Sequence, residues 1–268
     1  MVEFSEIVRY ILIRMPHLQL KEVRIAFGGL QALSNVSFEI GLGEVVGLIG
    51  PNGAGKTTVF NAITGIDRIS GGHVFYDGVS LVGRKPHQIL ALGIARTFQN
   101  IRLFSAMTAL ENVMVAQHSR SGSGVLAAML HTRSQRREEA YIRERAMMTL
   151  DFMGLAEVAN EVASNLPYGI QRRLEIARAL GSEPKTLLLD EPAAGLNPSE
   201  SKELTQVVRR IVQGGVNILL VEHDMSVVMC ISHRVVVLDH GELIAQGRPD
   251  EVQNDPKVIK AYLGIEVH

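Results

Sequence analysis

The sequence predicts an α/β protein built on a mostly parallel sheet. After Pro184, short apolar runs alternate with amphipathic segments, and an earlier apolar run at 44–49 leads into a glycine-rich loop. Alternation of this kind places strands in parallel with helices on both faces of the sheet. Between residues 100 and 183 the apolar period is instead helical, about 3.6. We therefore predict one α/β domain with a helical insertion.

Composition argues against several classes of protein. The 268 residues contain 27 Lys and Arg against 28 Asp and Glu, so no overall basic field favours a nucleic-acid partner. Cys230 is the single cysteine, which excludes an internal disulfide, and the first residues show no secretory signal. No apolar run approaches the roughly 18 residues of a spanning helix. We expect a cytosolic chain that reaches a membrane only through partners.

Glycine pairs and side-chain periodicity define the elements. Residues 1–19 hold apolar positions interrupted by Arg9 and Arg14, and we interpret them as an N-terminal extension. Thr108 and Glu111 form a predicted capping box for a helix at 109–117. Strands are predicted at 20–27, 34–40, 44–49, 73–76, 94–98, 186–189, 216–221, 234–238 and 242–246. Helices are predicted at 56–64, 86–91, 109–117, 134–153, 171–180, 198–213 and 225–231, with a loop at 119–124.

The glycine-rich loop GPNGAGKTT at 50–58 predicts a phosphate site. Its glycines let the backbone turn with N–H groups inward, Lys56 can reach the β and γ phosphates, and the Thr57 hydroxyl can ligate Mg²⁺. A helix starting near Lys56 adds its N-terminal dipole to this anion site. The loop therefore predicts binding of a nucleoside triphosphate. The nucleotide-binding residues predicted here are Gly50, Asn52, Gly53, Ala54, Gly55, Lys56, Thr57 and Thr58.

Four further polar residues follow predicted strands. Asp190 and Glu191 end the apolar run TLLL, where ligands bind in open α/β sheets. We expect Asp190 to hold Mg²⁺ and Glu191 to orient or deprotonate the attacking water. Gln99 could reach both the metal and the water, and His223 could bond a γ-phosphate. The run Glu222-His-Asp224 is not interpreted as a metal site, since adjacent residues on an extended chain do not converge on one ion.

These motifs, in order and spacing, resemble the ATP-binding subunits of ABC transporters over about residues 18–265. The segments that carry the resemblance are GPNGAGKTT at 50–58, RTFQN at 96–100, LPYGIQRRLEIAR at 166–178, DEP at 190–192 and EHD at 222–224. The segments FGGL at 27–30, RTFQNIRLF at 96–104, EPAAGLNP at 191–198 and VIKAYLG at 258–264 resemble the ATPases of branched-chain amino-acid importers. The ATPase of a lipopolysaccharide exporter is a near relative, but the extra stretch 122–137 favours the importers.

The resemblance implies a P-loop NTPase fold with an N-terminal antiparallel β subdomain and an inserted helical subdomain. It divides a single domain, 20–268, into a catalytic core with the β subdomain (20–98 and 184–268) and a helical part (99–183). Two ATPase subunits, identical or different, are expected to sandwich two ATP molecules and drive integral membrane permease subunits. A periplasmic or extracellular solute-binding protein would act indirectly, which places this chain at the cytoplasmic face of the inner membrane.

The resemblance also assigns roles that the residues alone do not give. It implies that Phe27 stacks on adenine and that Gly169 contacts the partner chain's ATP in trans. Two departures concern the signature segment, which usually has Ser where this chain has Pro167 and a polar residue where it has Ile170. Pro167 keeps open the alternative of a catalytically weak ATP-binding regulator. A soluble ABC ATPase acting on DNA or ribosomes is disfavoured, because neither a long coiled coil nor a second cassette is present.

Overall fold

The computed structural model describes residues 17–117 and 133–263, in which strands form two sheets. The smaller sheet is antiparallel, with the order β2-β1-β4-β5. The larger sheet has the order β10-β9-β3-β8-β7-β6, and only its edge strand β10 is antiparallel to its neighbour. The strands are β1 (Leu18–Phe27), β2 (Leu30–Ile40), β3 (Val45–Ile49), β4 (Gly71–Tyr76), β5 (Val79–Ser80), β6 (Ile94–Arg96), β7 (Thr186–Asp190), β8 (Asn217–Val221), β9 (Arg234–Asp239) and β10 (Glu242–Gly247).

Helices cover both faces of the larger sheet. They are α1 (Lys56–Thr64), α2 (Pro86–Leu92), α3 (Ala109–Gln117), α4 (Arg133–Phe152), α5 (Tyr168–Gly181), α6 (Pro198–Gln213), α7 (Met225–Ile231), α8 (Pro249–Gln253) and α9 (Pro256–Leu263). Short 3₁₀ turns lie at Ala156–Val158 and Ala163–Asn165. Within the described ranges, no helix is both long and apolar enough to cross a membrane.

Alternating side chains of the buried strand β7 join two different parts of the core. Leu187 and Leu189 pack in the cluster that contains α3, α5 and α6, whereas Leu188 packs with the antiparallel sheet and α1. Successive strand residues point to opposite faces, and both faces of a parallel sheet are normally covered. The near-continuous apolar runs in the sequence thus correspond to strands buried from both sides.

The predicted fold class is confirmed, while several boundaries differ. β1 begins at Leu18, two residues before the predicted start, and Leu18 is fully buried opposite Ile40. β2 begins at Leu30, four residues before the predicted start. The prediction missed its first residues because they are mostly exposed and do not alternate between buried and exposed. α5 begins at Tyr168 rather than at residue 171.

Some elements were not predicted, and some predictions concern residues outside the described ranges. β5 and the C-terminal helices α8 and α9 were not predicted, although a proline opens each of these helices. Residues 1–16 of the predicted extension, the loop at 119–124 and residues 122–132 of the extra helical stretch lie outside the described residues. The division of 20–268 into a catalytic and a helical part stays a prediction.

Candidate nucleotide-binding site

Four neighbouring parallel strands end at one edge of the larger sheet. At that edge Leu48 of β3 is in register with Val221 of β8, and Asp190 of β7 with the same residue. Each strand leads directly into a predicted site segment, as expected where ligands bind at the carboxyl edge of an open α/β sheet. A cavity of about 590 Å³ lies here. Its lining comprises Leu30, Gln31, Ala32, Asn52, Gly53, Ala54, Gly55, Lys56, Thr57, Thr58, Gln99, Glu191, His223 and His240.

The phosphate loop depends on glycine at two positions. Gly50 has a φ of 152°, and a Cβ there would lie 2.1 Å from the carbonyl oxygen of Leu238. Gly55 is the N-cap of α1 with a φ of 102°, and its Cβ would lie 2.9 Å from the carbonyl oxygen of Ala32. No side chain caps α1, and its first turn carries no acidic residue. The first N–H groups of α1 therefore suit an anion supplied by a ligand.

Lys56 lies at the floor of this loop. Its Nζ donates hydrogen bonds to the carbonyl oxygens of Gly50 at 2.7 Å and Pro51 at 2.9 Å. Burial lowers the pKa of Lys56, and the carboxylates of Glu191 and Asp190 oppose that shift. A bound phosphate would give the partly desolvated ammonium a charged acceptor, so the lysine is poised for the predicted role.

Glu191 is hydrogen-bonded to the other two predicted catalytic side chains, Gln99 and His223. Gln99 Nε2 donates to Glu191 Oε2 at 3.0 Å, and His223 Nε2 is hydrogen-bonded to Glu191 Oε1 at 2.8 Å. Glu191 has a φ of 49°, a left-handed conformation uncommon outside glycine. Backbone strain of this kind is often found at functional sites. The sheet edge thus brings Gln99, Glu191 and His223 together beside the phosphate loop.

Asp190 lies behind this group and is not part of the cavity lining. Its Oδ2 accepts a hydrogen bond from Arg96 Nη2 at 2.8 Å, and both side chains are almost fully buried. Arg96 also donates from Nη1 to Asn61 Oδ1 at 2.7 Å, which links β6 to α1. Arg96 was missed in the sequence, where it was quoted only as part of a family motif. It neutralises the buried carboxylate that follows the apolar run of β7.

The residues present fit ATP and Mg²⁺. An uncapped helix start, a lysine and glycines surround space for phosphates, and Thr57 and Gln99, whose side chains carry oxygen atoms, line the same cavity. Hydroxyl, amide and carboxylate oxygens are the ligands that Mg²⁺ takes, often through water. The buried Asp190 carboxylate is one residue from the cavity-lining Glu191 and suits a contact through water.

Three predicted nucleotide contacts, Phe27, Gly50 and Gly169, lie outside the cavity lining. Phe27 is 49% exposed at the β1–β2 hairpin, and its cross-strand partner Leu30 does line the cavity. Gly169 is buried in the first turn of α5, where an added Cβ would lie 2.5 Å from Glu200 Oε1. Glu200 therefore covers Gly169 in the single chain, and Tyr168 is the exposed neighbour. All three nucleotide contacts stay predictions.

Besides Asp190, Glu222 is a second buried carboxylate, and its burial was not predicted from the sequence. It is 3% exposed and accepts hydrogen bonds from the N–H groups of Ala193 at 2.5 Å and His223 at 3.1 Å. Burial raises the pKa of Glu222, and these bonds oppose the rise. Glu222 thereby holds the backbone next to both Glu191 and His223. No signal in the sequence could have found this burial, because a glutamate at the end of a strand is usually exposed.

Comparison with known proteins decides the family. The ABC transporter family profile matches residues 33–194, more than half of the chain, and the profile described as branched-chain amino acid ATP-binding cassette transporter matches residues 242–268. The chain belongs to the ATP-binding proteins of ABC transporters. The predicted family, fold class and ATPase class of this ABC protein are therefore confirmed.

Several relatives of this ABC protein cover nearly all of it. The high-affinity branched-chain amino acid transport ATP-binding protein LivG of Escherichia coli strain K12 is 48% identical over 250 residues, 93% of this chain and 98% of LivG. BraF of Pseudomonas aeruginosa, which carries the same description, is 46% identical over 93% of this chain and 98% of its own length.

Solved structures agree with the described fold. The ADP conformation of an ATP-binding cassette of an ABC transporter has a TM-score of 0.82 and 31% identity, covering 94% of this chain and 100% of that one. A dimeric cassette in a post-hydrolysis state, bound to ADP and phosphate, has a TM-score of 0.72 and 27% identity over 87% of this chain and 98% of its own.

Proposed function

We propose that this ABC protein hydrolyses ATP to drive import of branched-chain amino acids, with Glu191 as the residue that activates water. One observation carries the assignment of roles: Glu191 is hydrogen-bonded to both Gln99 and His223 on the wall of the phosphate-loop cavity. A carboxylate held from both sides at a phosphate site is suited to orient or deprotonate a nucleophilic water.

The other residues of the cavity bind and position the triphosphate. Lys56 and the N–H groups at the start of α1 supply fixed positive charge for the β and γ phosphates. Thr57, Gln99 and Asp190 would hold Mg²⁺, which neutralises charge developing on the phosphate oxygens when it is bound. His223, which is hydrogen-bonded to Glu191, would contact the γ-phosphate. Phe27 would stack on adenine from the hairpin that carries Leu30.

The second half of each site would come from another ATPase subunit. The start of α5, with Pro167, Tyr168 and Gly169, would face the ATP of the partner chain. The dimeric relative bound to ADP and phosphate supports an assembly of two cassettes. Because Glu200 covers Gly169 in the single chain, contact with the partner's ATP requires that carboxylate to move or the helix end to act through its exposed residues.

Membrane permease subunits are the remaining partners, and we place the chain at the cytoplasmic face of the membrane beside them. Phe104 and Met107, in the segment that follows Gln99, are 45% and 38% exposed. Exposed apolar side chains of this kind favour a docking surface. A solute-binding protein outside the membrane would act only through the permease. The branched-chain solute is supported by the relatives LivG and BraF and by the C-terminal profile match.

Substitution Glu191→Gln tests the assigned role. The amide keeps the size and one acceptor but cannot take a proton, so we expect turnover to fall by about 10²–10⁴-fold, the usual contribution of a positioned base. ATP binding should persist, because Lys56 and the loop are unchanged. Phosphate release and calorimetric ATP titration measure the two quantities. The control Glu157→Gln removes an exposed carboxylate in a 3₁₀ turn and should change neither. Hydrolysis by Glu191→Gln near the control's rate would contradict the assignment.

A further inference from the structure

Arg172, on α5, is the largest of the fully buried side chains in the described part of the protein. It is 1% exposed, and so is its ion-pair partner Glu175 one turn later, at 3.1 Å. Burying two charges carries a desolvation penalty that can exceed their mutual attraction, and apolar residues of similar volume often stabilise a fold equally well. The electrostatic attraction between Arg172 and Glu175 is therefore weak evidence that the pair serves only to stabilise the fold.

The pair bonds the backbone of the segment 98–102 with both of its members: Arg172 donates to carbonyl oxygens, and Glu175 accepts from N–H groups. Arg172 donates from Nη1 to the carbonyl oxygen of Phe98 at 3.0 Å and from Nη2 to that of Gln99 at 2.8 Å. Glu175 Oε1 accepts from the N–H groups of Phe98 and Arg102, both at 3.3 Å. The segment that carries Gln99 is thus fixed to α5 by side chains, although the bonded residues lie at least 73 positions apart in the sequence.

The same guanidinium reaches the first residue of α5. Arg172 Nη2 donates to Tyr168 Oη at 3.2 Å, and Tyr168 Oη donates to the carbonyl oxygen of Ala194 at 3.1 Å. Ala194 lies three residues after Glu191. From the other end of the network, the Gln99 side chain donates to Glu191. Arg172 therefore joins the start of α5 to the carboxylate by two routes, one through Gln99 and one through Tyr168.

We propose that Arg172 is a positioning residue that fixes Gln99 against Glu191 and sets both relative to the start of α5. The proposal rests on the proposed ATPase function and adds a connection within one chain. Because α5 would face the partner's ATP while Gln99 serves the chain's own ATP, the Arg172–Glu175 pair links the two sites of a dimer. A shift of α5 would then move the Gln99 backbone directly.

The test replaces the pair with apolar side chains of similar size, Arg172→Met together with Glu175→Leu. This double variant leaves no buried charge without a partner. It does remove the four hydrogen bonds to the backbone of Phe98, Gln99 and Arg102, so we expect a lower melting temperature but a protein that is still folded at about 25 °C. We expect kcat to fall about 10- to 100-fold, since misplacing a catalytic group by about 1 Å can cost up to about 100-fold. The ATP KM should change little, because Lys56 and the phosphate loop are untouched.

Arg173→Met is the matched control. Arg173 is the next residue of α5, but its partner is the half-exposed Glu203 of α6 at 3.5 Å rather than the Gln99 segment. Exposed pairs of this kind contribute little. We expect the wild-type kcat, KM and melting temperature. A role of Arg172 in stability alone predicts a wild-type kcat for the folded double variant, whatever its melting temperature.

Arg172→Lys decides the question should the double variant fail to fold. A lysine keeps the charge beside Glu175 but cannot span three acceptors as the planar guanidinium does. We expect it to fold, with a kcat at least about threefold below wild type, as loss of one modest hydrogen bond gives. A wild-type kcat in either folded variant overturns the proposal. Should Glu191→Gln also retain hydrolysis, the proposed function itself fails, so the two failures are distinguishable.

Discussion

The starts of α1 and α5 contrast with those of α6 and α7. Asn197 Oδ1 accepts from the N–H groups of Ser199 and Glu200, both at 3.0 Å, and Asp224 Oδ1 accepts from the N–H of Ser226 at 2.9 Å. These side chains satisfy the first N–H groups of α6 and α7. Gly55 and Pro167 occupy the corresponding positions of α1 and α5 and give no side-chain cap.

The starts of α1 and α5 are also the ones that we assign to phosphates. A helix start without a capping side chain keeps its positive end available to an anion. The two differ in what surrounds them. α1 has the cavity and Lys56 beside it, whereas the first turn of α5 holds a buried glycine under Glu200. In the proposed dimer, each chain would therefore supply a complete phosphate cavity at α1, and its partner would add only the start of α5.

Removal of the charge at α1 should give the largest effect. In Lys56→Ala the phosphates lose two charge-assisted hydrogen bonds, so we expect ATP affinity to fall by more than about 100-fold. Calorimetric titration with ATP measures the loss. Lys202→Ala, which removes an exposed lysine of α6, is the control and should bind as wild type. Equal ATP affinity of the two variants would contradict the contrast drawn between α1 and α5, because the start of α1 would then not be the phosphate site.

Addition of a hydroxyl at α5 should give a smaller effect in the opposite direction. Proline is tolerated at a helix start, so Pro167→Ser should leave the fold intact. The new hydroxyl could bond the partner's phosphate, and a hydrogen bond to a charged group is worth about 1.5–3 kcal/mol. That corresponds to an ATP-driven dimer roughly 10- to 150-fold tighter, with faster turnover.

Pro167→Ala separates the hydroxyl from the loss of the ring. Steady-state hydrolysis and ATP-dependent sedimentation of the three proteins give the comparison. If Ser and Ala behave alike, or if Ser lowers both quantities, the helix end already supplies the trans contact and the departure at Pro167 has no effect of the kind proposed.

Local signals in the sequence predicted the half of the site that lies at α1. The loop 50–58 has its own spacing pattern, and Glu191 and His223 each follow an apolar strand, so parallel pairing alone brings them to one edge. The motifs therefore located the cavity without knowledge of side-chain contacts. The order of the strands in the larger sheet agrees with this interpretation.

Contacts between distant segments could not be predicted in the same way. Arg172 and Glu175 lie on the face of α5 that also buries Gly169 and Ile176, but burial of these two charges was not predicted from the sequence. The pattern did not indicate that Arg172 and Glu175 bond the backbone of Phe98 and Gln99. Only the packing of α5 against the segment after β6 shows it.

Light scattering of Glu191→Gln tests the central claim most directly, namely that two uncapped helix starts from two chains close on shared ATP. With ATP and Mg²⁺, which this variant should bind without turnover, we predict a particle of twice the monomer mass containing two ATP molecules. With ADP we predict the monomer mass. A monomer that has ATP bound, shown by its nucleotide content, would contradict closure between two copies of this chain, because the start of α5 would then bind no phosphate of an identical partner.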